Sequence, residues 1–242
     1  MFSTIWHTFF FDPVYNTLVF FIDVVPGGDL GLAIIGTVLV VKTILLPLSI
    51  KAAKTQRVMR EIEPKLKEVR ETHKDDREGQ ARAMMEIYQE AGLNPFAAIF
   101  LIFLQIPIII ALYFSVSTGG GVPFPEVNTA LLYGFIPAPE SVSMQFLGFF
   151  DISGKSVVLA ALAGVAQYFQ IKYAMPTLPP KAADAKPDMK DDIMRSMQSQ
   201  LRYVMPVVIF IVSYTISAAI ALYFLVSNLT MLAQEVIVKK HR

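Results

Sequence analysis

Long apolar blocks alternate with polar segments along the 242 residues. Four blocks are long enough to cross a hydrocarbon core of ~30 Å, which takes about 20 helical residues: 30–50, 96–117, 156–175 and 203–238. The last block, of about 36 residues, is too long for one span, and we expect two short helices joined by a turn near 213–217. The pattern predicts an all-α polytopic membrane protein with five transmembrane helices.

Basic residues are distributed asymmetrically between the polar segments. All but Lys42 and Lys155 of the 21 Lys and Arg residues lie in 51–82, 172–202 or 239–242. Five spans place these three segments on one side of the membrane, and the positive-inside rule assigns that side to the cytoplasm. The N-terminus is then outside and the C-terminus cytoplasmic, as expected for a multi-pass protein of the cell inner (plasma) membrane.

This topology divides the chain into ten segments. In order they are an outer amphipathic segment (1–27), TM1 (28–50), a cytoplasmic helical hairpin (51–93), TM2 (94–118), an outer loop (119–154), TM3 (155–175), a cytoplasmic loop (176–202), TM4 (203–216), TM5 (217–238) and a basic tail (239–242). The first segment lacks the basic n-region of a signal peptide and is rich in aromatic residues, which favours a helix lying in the outer interface.

Periodic apolar residues predict the cytoplasmic hairpin. A stripe at Val58, Ile62, Leu66 and Val69 has helical spacing. A polar turn at 73–78 follows it, and a second apolar face comes after the turn. That second face consists of Ala81, Met84, Met85 and Tyr88.

Composition narrows the possible chemistry. Hydrophobic residues make up 54% of the chain and charged residues 17%, against about 25% in soluble domains, which excludes a disordered or nucleic-acid-coating protein. The chain has no cysteine and three histidines, too few ligands for a thiolate or histidine metal site. With no paired carboxylates in the spans, we expect no enzyme activity, no cofactor and no metal.

Lys42 is the most informative residue, because a lysine near the middle of a span costs about 2.5–3.5 kcal/mol on insertion scales. One interpretation is that its long side chain reaches the cytoplasmic interface. The other interpretation is that the remaining spans contain no acidic partner for Lys42, so that its charge is stabilised by water or by a group of a bound ligand. The second interpretation predicts a wetted groove between the helices.

Further polar residues lie at compatible depth. Tyr223, Ser227, Thr230 and Gln234 are spaced to share one helix face. Such residues commonly serve as hydrogen-bonding contacts between helices, but beside a lysine they indicate a hydrophilic groove. The candidate substrate-binding residues are Lys42, Gln105, Gln167, Gln170, Tyr223 and Ser227.

Motifs in four spans resemble those of one family. They are Gly31–Leu48, Asn94-Pro95 with Leu104-Gln105-Ile106-Pro107, Gln167-Tyr168-Phe169-Gln170, and Leu222-Tyr223-Phe224 with Ser227-Asn228-Leu229. In this order they resemble the YidC-type membrane protein insertases, which have mitochondrial and chloroplast relatives. Lys42 falls where that family's groove arginine is expected, and an ammonium is a more compact charge than the guanidinium it replaces.

The resemblance implies an insertase and chaperone that works without nucleotide hydrolysis. Short substrate tails would cross through the hydrophilic groove while hydrophobic segments pass into the lipid bilayer. The implied partners are nascent membrane proteins, with the ribosome and the Sec translocon as further candidates, and no specific nucleic acid. Two alternatives remain open: a small anion transporter with Lys42 as counter-ion, and an assembly scaffold without translocation.

Overall fold

The computed structural model describes residues 2–74, 76–92, 96–174 and 189–240. Asn94-Pro95, residues 176–188 of the predicted cytoplasmic loop and tail residues 241–242 lie outside these ranges. The α-helices are α1 (Phe2–Trp6), α2 (Asp12–Val24), α3 (Leu30–Glu61), α4 (Glu63–Thr72), α5 (Arg77–Glu90), α6 (Phe96–Thr118), α7 (Val157–Ala174), α8 (Met189–Ile216) and α9 (Ala218–Lys240). A π-helical turn, His7–Phe11, joins α1 to α2.

Five helices in the described ranges are long and apolar enough to cross a membrane. Their apolar stretches are Leu30–Thr55, Phe103–Gly121, Val157–Ala174, Ser199–Ile216 and Ala218–Ile237. The expectation of an all-α protein with five transmembrane helices is therefore confirmed. Ser217 alone separates α8 from α9, so the last long apolar block does form two helices.

Two helices extend further into polar sequence than the apolar pattern indicates. Helix α3 continues beyond residue 50 to Glu61. Helix α8 begins at Met189, so residues 189–202 are helical although the polar sequence was expected to form a loop. Charged residues allow helix formation as readily as leucine does, because intrinsic propensity differs little among the long unbranched side chains. Hydropathy marks where a helix enters lipid and does not mark where it ends.

The fold consists of two compact units, Met1–Lys42 with Ile109–Arg242, and Thr43–Ile108. In the first unit, α7 packs against both α8 and α9. Gly164 lets α7 approach α8 closely, since a Cβ at this position would lie 3.0 Å from the Pro206 carbonyl oxygen. Small residues allow such close contact between transmembrane helices.

The first unit also contains a region that we call the cap, residues 2–29 and 119–155. It includes a two-stranded antiparallel hairpin, β1 (Gln145–Phe146) and β2 (Phe150–Asp151). Asn16 is 2% exposed, and its amide donates to the carbonyls of Asp12 and Leu131 at 2.9 Å while its Oδ1 accepts from Tyr133 N–H at 2.7 Å. The bonds to Leu131 and Tyr133 join α2 to a loop more than a hundred residues away.

Aromatic rings add to the packing of the cap. Phe11 stacks on Tyr15 and Tyr15 on Phe124, with centroid distances of 5.9 and 6.1 Å. Burial raises the pKa of the Tyr15 phenol, although a hydrogen bond from the Asn128 N–H, at 2.9 Å, partly opposes this effect.

The second unit contains a helical hairpin formed by α4 and α5, which pack against each other. Ile62, immediately before α4, and Leu66 within it are buried, while Val58 and Val69 are half-buried. No residue of α5 is buried. The first apolar stripe therefore supplies the inner side of this unit, whereas the second face, on α5, stays partly exposed.

Candidate functional site

Lys42 lies on α3, within the first apolar stretch, and its side chain is half-buried. Val38, one turn earlier, is buried, as is the neighbouring Thr37. The Thr37 hydroxyl donates to the Ala33 carbonyl at 2.8 Å, so its hydrogen bond is made within the helix. The ammonium of Lys42 carries three N–H donors on this part of α3.

Tyr223 and Ser227 are both buried and lie one turn apart on α9. Thr230 is half-buried, and its hydroxyl donates to the Val226 carbonyl at 2.7 Å. Gln234, the last member of the predicted polar face, is half-buried. The polar face of α9 therefore runs from a buried phenol and a buried hydroxyl to a partly exposed amide.

Gln167 and Gln170 are brought into contact on α7. The Gln167 side-chain amide donates to the Gln170 Oε1 at 3.3 Å, and Gln170 is buried. Because α7 packs against α9, both helices contribute polar side chains to the interior of the first unit. These groups are hydrogen-bond donors and acceptors, which suits them to hold water or polar backbone inside the membrane.

Gln105 lies on α6 in the second unit and is half-buried. The other five candidate residues belong to the first unit. The role of Gln105 in binding a substrate therefore stays a prediction from the sequence.

One assumption of the sequence analysis is wrong. The sequence analysis expects no acidic residue in the remaining spans, but Glu235 lies within the fifth apolar stretch, Ala218–Ile237, where it is half-buried near the C-terminal end. The membrane segments thus carry both a central lysine and a glutamate.

Asn228 is a buried polar residue that the sequence analysis did not select. It is 5% exposed, and its Nδ2 has no hydrogen-bond partner in the part of the chain that the structure describes. The Ser213 hydroxyl on α8 is also buried and has no hydrogen-bond partner among the described residues. Asn228 is an amide inside an apolar block, but its spacing from Tyr223 does not place it on the helix face that Tyr223 shares with Ser227. Unsatisfied donors at membrane depth are costly, which makes them candidates for contact with a polar ligand or water.

A cavity of about 250 Å³ lies between the C-terminal end of α6, the cap and the α8–α9 turn. Its lining includes Tyr113, Phe124, Ile152 and Ser217, and none of the six predicted site residues. The cavity and the polar residues of α7 and α9 are thus separate features.

Comparison with known proteins extends over nearly the whole chain. A family profile described as "60Kd inner membrane protein" matches residues 21–242. The chain belongs to this family. Together with the five apolar helices, this makes it a multi-pass inner membrane protein.

Three relatives show how far the similarity extends. "Membrane protein insertase YidC" of Oceanobacillus iheyensis is 32% identical over 240 residues, which cover 98% of this chain and 84% of the relative. The protein of the same name from Clostridium tetani is 28% identical, covering 89% of this chain and 84% of the relative. "Membrane protein insertase YidC 1" of Halalkalibacterium halodurans is 29% identical, covering 95% and 77%. The resemblance found in the sequence motifs is confirmed.

Proposed function

We propose that the protein is a membrane protein insertase, which moves short tails of its substrates across the membrane and releases their hydrophobic segments into the bilayer. The observation that carries the proposal is the family match over residues 21–242. Relatives that are named as insertases also match this chain over most of their own length. The process needs no nucleotide hydrolysis. Nascent membrane proteins are the substrates, and contacts with the ribosome and the Sec translocon stay predictions.

The proposed orientation places the cap outside and the α4–α5 hairpin in the cytoplasm. It rests on the basic residues of segments 51–82, 172–202 and 239–242. The partly exposed apolar face of α5 suits the hairpin to receive an incoming hydrophobic chain, since mobile methionine side chains adapt to varied partners.

We propose that Lys42, Gln167, Gln170, Tyr223 and Ser227 contact the substrate tail. An acidic tail loses hydration when it enters the membrane, and a nearby ammonium lowers that cost. The amides and hydroxyls of α7 and α9 supply hydrogen bonds to the polar backbone of the tail. The membrane potential then favours movement of the negative tail to the outside.

A reconstituted system tests the function. The purified protein is placed in lipid vesicles and given a substrate with one hydrophobic segment and a short tail, without ATP or GTP. We expect the tail to become protected from added protease only when the protein is present. Solute uptake with no protection of the tail would instead favour an anion transporter, and crosslinking without protection would favour an assembly scaffold.

Substitutions of Lys42 test the mechanism. Lys42→Arg should retain insertion, because the charge is preserved. Lys42→Ala should reduce insertion of acidic tails by about tenfold, the effect of losing an interaction of about 1.4 kcal/mol. Lys42→Glu should be worse still, since like charges repel in a poorly hydrated site. Neutral tails should be affected least by Lys42→Ala.

Lys172 provides a matched control, because it is an exposed lysine in the last turn of α7. Lys172→Ala should leave insertion unchanged for both tails. Equal insertion of every substrate by wild-type and Lys42→Ala protein would mean that Lys42 only reaches the interface. Thermal stability is measured for each variant, and a loss confined to Lys42→Ala with normal stability supports the proposed contact.

The absence of cysteine allows a clean test of orientation. Single cysteines at Ser141 and Ser153 should react with an impermeant maleimide from outside the cell. Cysteines at Thr72 and Ser196, both exposed positions, should react only after the cytoplasmic side is opened. The reverse pattern would invert the topology.

A further inference from the structure

The turn of the β1–β2 hairpin exposes two large apolar side chains. Leu147 is 54% exposed and Phe149 is 84% exposed, the latter more than any other large hydrophobic residue in the described ranges. The tip, Leu147-Gly148-Phe149, carries no charge, and the polar Gln145 and Asp151 pair at the base of the hairpin. Large exposed apolar side chains at a loop tip need a partner that removes them from water.

The tip has a fixed position relative to the first span. The Asp29 carboxylate accepts from the Leu147 N–H at 2.7 Å and from the Leu32 N–H, in the first turn of α3, at 3.0 Å. Asp29 is buried, and it immediately precedes Leu30, the first residue of the first apolar stretch. The tip is therefore held at the level where α3 enters the membrane.

A second contact supports this placement. Phe146, next to Leu147, packs on Gly31 of α3, where a Cβ would collide with the ring. The hairpin thus turns one aromatic ring towards α3 and leaves the ring of Phe149 exposed.

The backbone at the tip is also held in an unfavourable conformation. Leu147 has a φ of 52°, in the left-handed region that residues with a Cβ seldom adopt. The bond to Asp29 holds its N–H in this geometry. A leucine maintained where glycine would fit more easily indicates that its side chain is useful at this place.

We propose that the tip Leu147-Gly148-Phe149 inserts into the lipid of the membrane and anchors the cap to it. Lipid is the occupant because the tip lacks charge, exposes two large apolar side chains and is bonded through Asp29 to the start of the first apolar stretch, at the membrane boundary. Phenylalanine and leucine are suited to this region, where amphipathic segments bury their apolar side by several ångströms. The proposal depends on the orientation proposed above only for the choice of the outer leaflet.

Spin labels measure the surroundings of the tip. Single cysteines at Phe149, Leu147 and Ser141 are labelled with a nitroxide in the purified full chain, in vesicles of phosphatidylethanolamine and phosphatidylglycerol. Collisions with oxygen, which concentrates in lipid, are compared with collisions with a water-soluble nickel complex. At 149 and 147 we expect oxygen collisions to exceed nickel collisions, and at 141, an exposed residue of the cap, the reverse.

The collision rates distinguish lipid, water and protein as the surroundings of the tip. Nickel collisions at 149 and 147 as frequent as at 141 would show that the tip is in water, and would overturn the proposal. Low collision rates with both reagents would show a protein cover, such as a second copy of the chain, and would overturn it as well. Maleimide labelling of 141 from the cytoplasmic side would refute the orientation, while the collision rates would still report the anchor.

Discussion

The cap and the α4–α5 hairpin are both rich in polar sequence, yet they are held together in different ways. In the cap, Asn16 and Asp29 are buried and bond to residues more than a hundred positions away. In the hairpin, Ile62 and Leu66 are the buried side chains, and the ion pair between Arg82 and Glu78 is exposed and local.

The two kinds of contact make the cap and the hairpin respond differently to small movements of the chain. Buried polar bonds demand one geometry, because a misplaced donor or acceptor loses its partner and stays dehydrated. An apolar stripe with few polar partners tolerates small movements of one helix against the other, and exposed ion pairs contribute little. The cap is built to keep one shape, whereas the hairpin is built to adapt, which agrees with its proposed role in receiving varied chains.

The largest effect is expected from Leu66→Asp in the hairpin. Leu66 is 5% exposed, and emptying a buried leucine site costs about 2–5 kcal/mol even before a charge is added. The α4–α5 hairpin should open and become sensitive to protease, while membrane integration stays intact. Ala81→Asp, the same charge change at an exposed position of α5, is the matched control and should leave cleavage unchanged.

Deleting residues 56–88 extends this test to function. If the hairpin receives the incoming chain, the shortened protein should integrate into the membrane but insert substrates poorly in the vesicle assay. Insertion at the wild-type rate would remove the receiving role and leave the hairpin as a dispensable element.

In the cap, Asn16→Ala should have the next largest effect. It removes the partner of the Leu131 carbonyl and of the Tyr133 N–H, and a polar group that loses its partner costs about 1–3 kcal/mol where it is shielded from water. The expected result is a lower midpoint of thermal unfolding in detergent and faster cleavage of the 122–142 segment. Thr17→Val, which removes only a bond to the Pro13 carbonyl within α2, should have a much smaller effect.

The two regions were not equally predictable from the sequence. The hairpin follows from periodicity, because the 3.6-residue repeat places Ile62 and Leu66 on one side wherever the chain is helical. The cap depends on Asp29 reaching Leu147 across 118 positions, and no local pattern encodes such a pairing. The sequence indicated an ordered or interfacial outer loop there, but not which residues bond to each other to hold it.

The membrane spans were likewise easier to predict from the sequence than the residues of the candidate site. The length of the apolar blocks and the placement of charges were sufficient to predict five helices, because the thickness of the lipid core sets the length of a transmembrane helix. Spacing correctly placed Tyr223 and Ser227 on one side of α9, where both are buried. The buried amide of Asn228 was missed, since which side chains of a span face other helices depends on how the helices pack.

A helix cap offers a smaller test within the hairpin. Asp76 precedes α5, and its Oδ1 accepts from the Gly79 N–H at 2.9 Å. Asp76→Ala should cost about 1 kcal/mol, which corresponds to roughly fivefold faster hydrogen exchange over 77–90. Asp76→Ser keeps an oxygen acceptor at the cap and should exchange at nearly the wild-type rate. Unchanged exchange in Asp76→Ala would mean that packing against α4 alone holds the start of α5.

The smallest effect is expected at the base of the cap hairpin, and it depends on pH. The Ser153 hydroxyl donates to Asp151 Oδ1 at 2.6 Å, and this bond, with the Ser153 and Gly154 N–H groups, lowers the pKa of Asp151 below its ordinary value of 3.8. A folded-state pKa below the unfolded value stabilises the fold at neutral pH, and this stabilisation is lost as the pH falls through the folded-state pKa. Ser153→Ala should therefore unfold at a slightly lower temperature than wild type at pH 7, and the two midpoints should converge as the pH is lowered below 3.8. A difference that stays constant over this range would show that the hydroxyl acts through packing and not through the charge of Asp151.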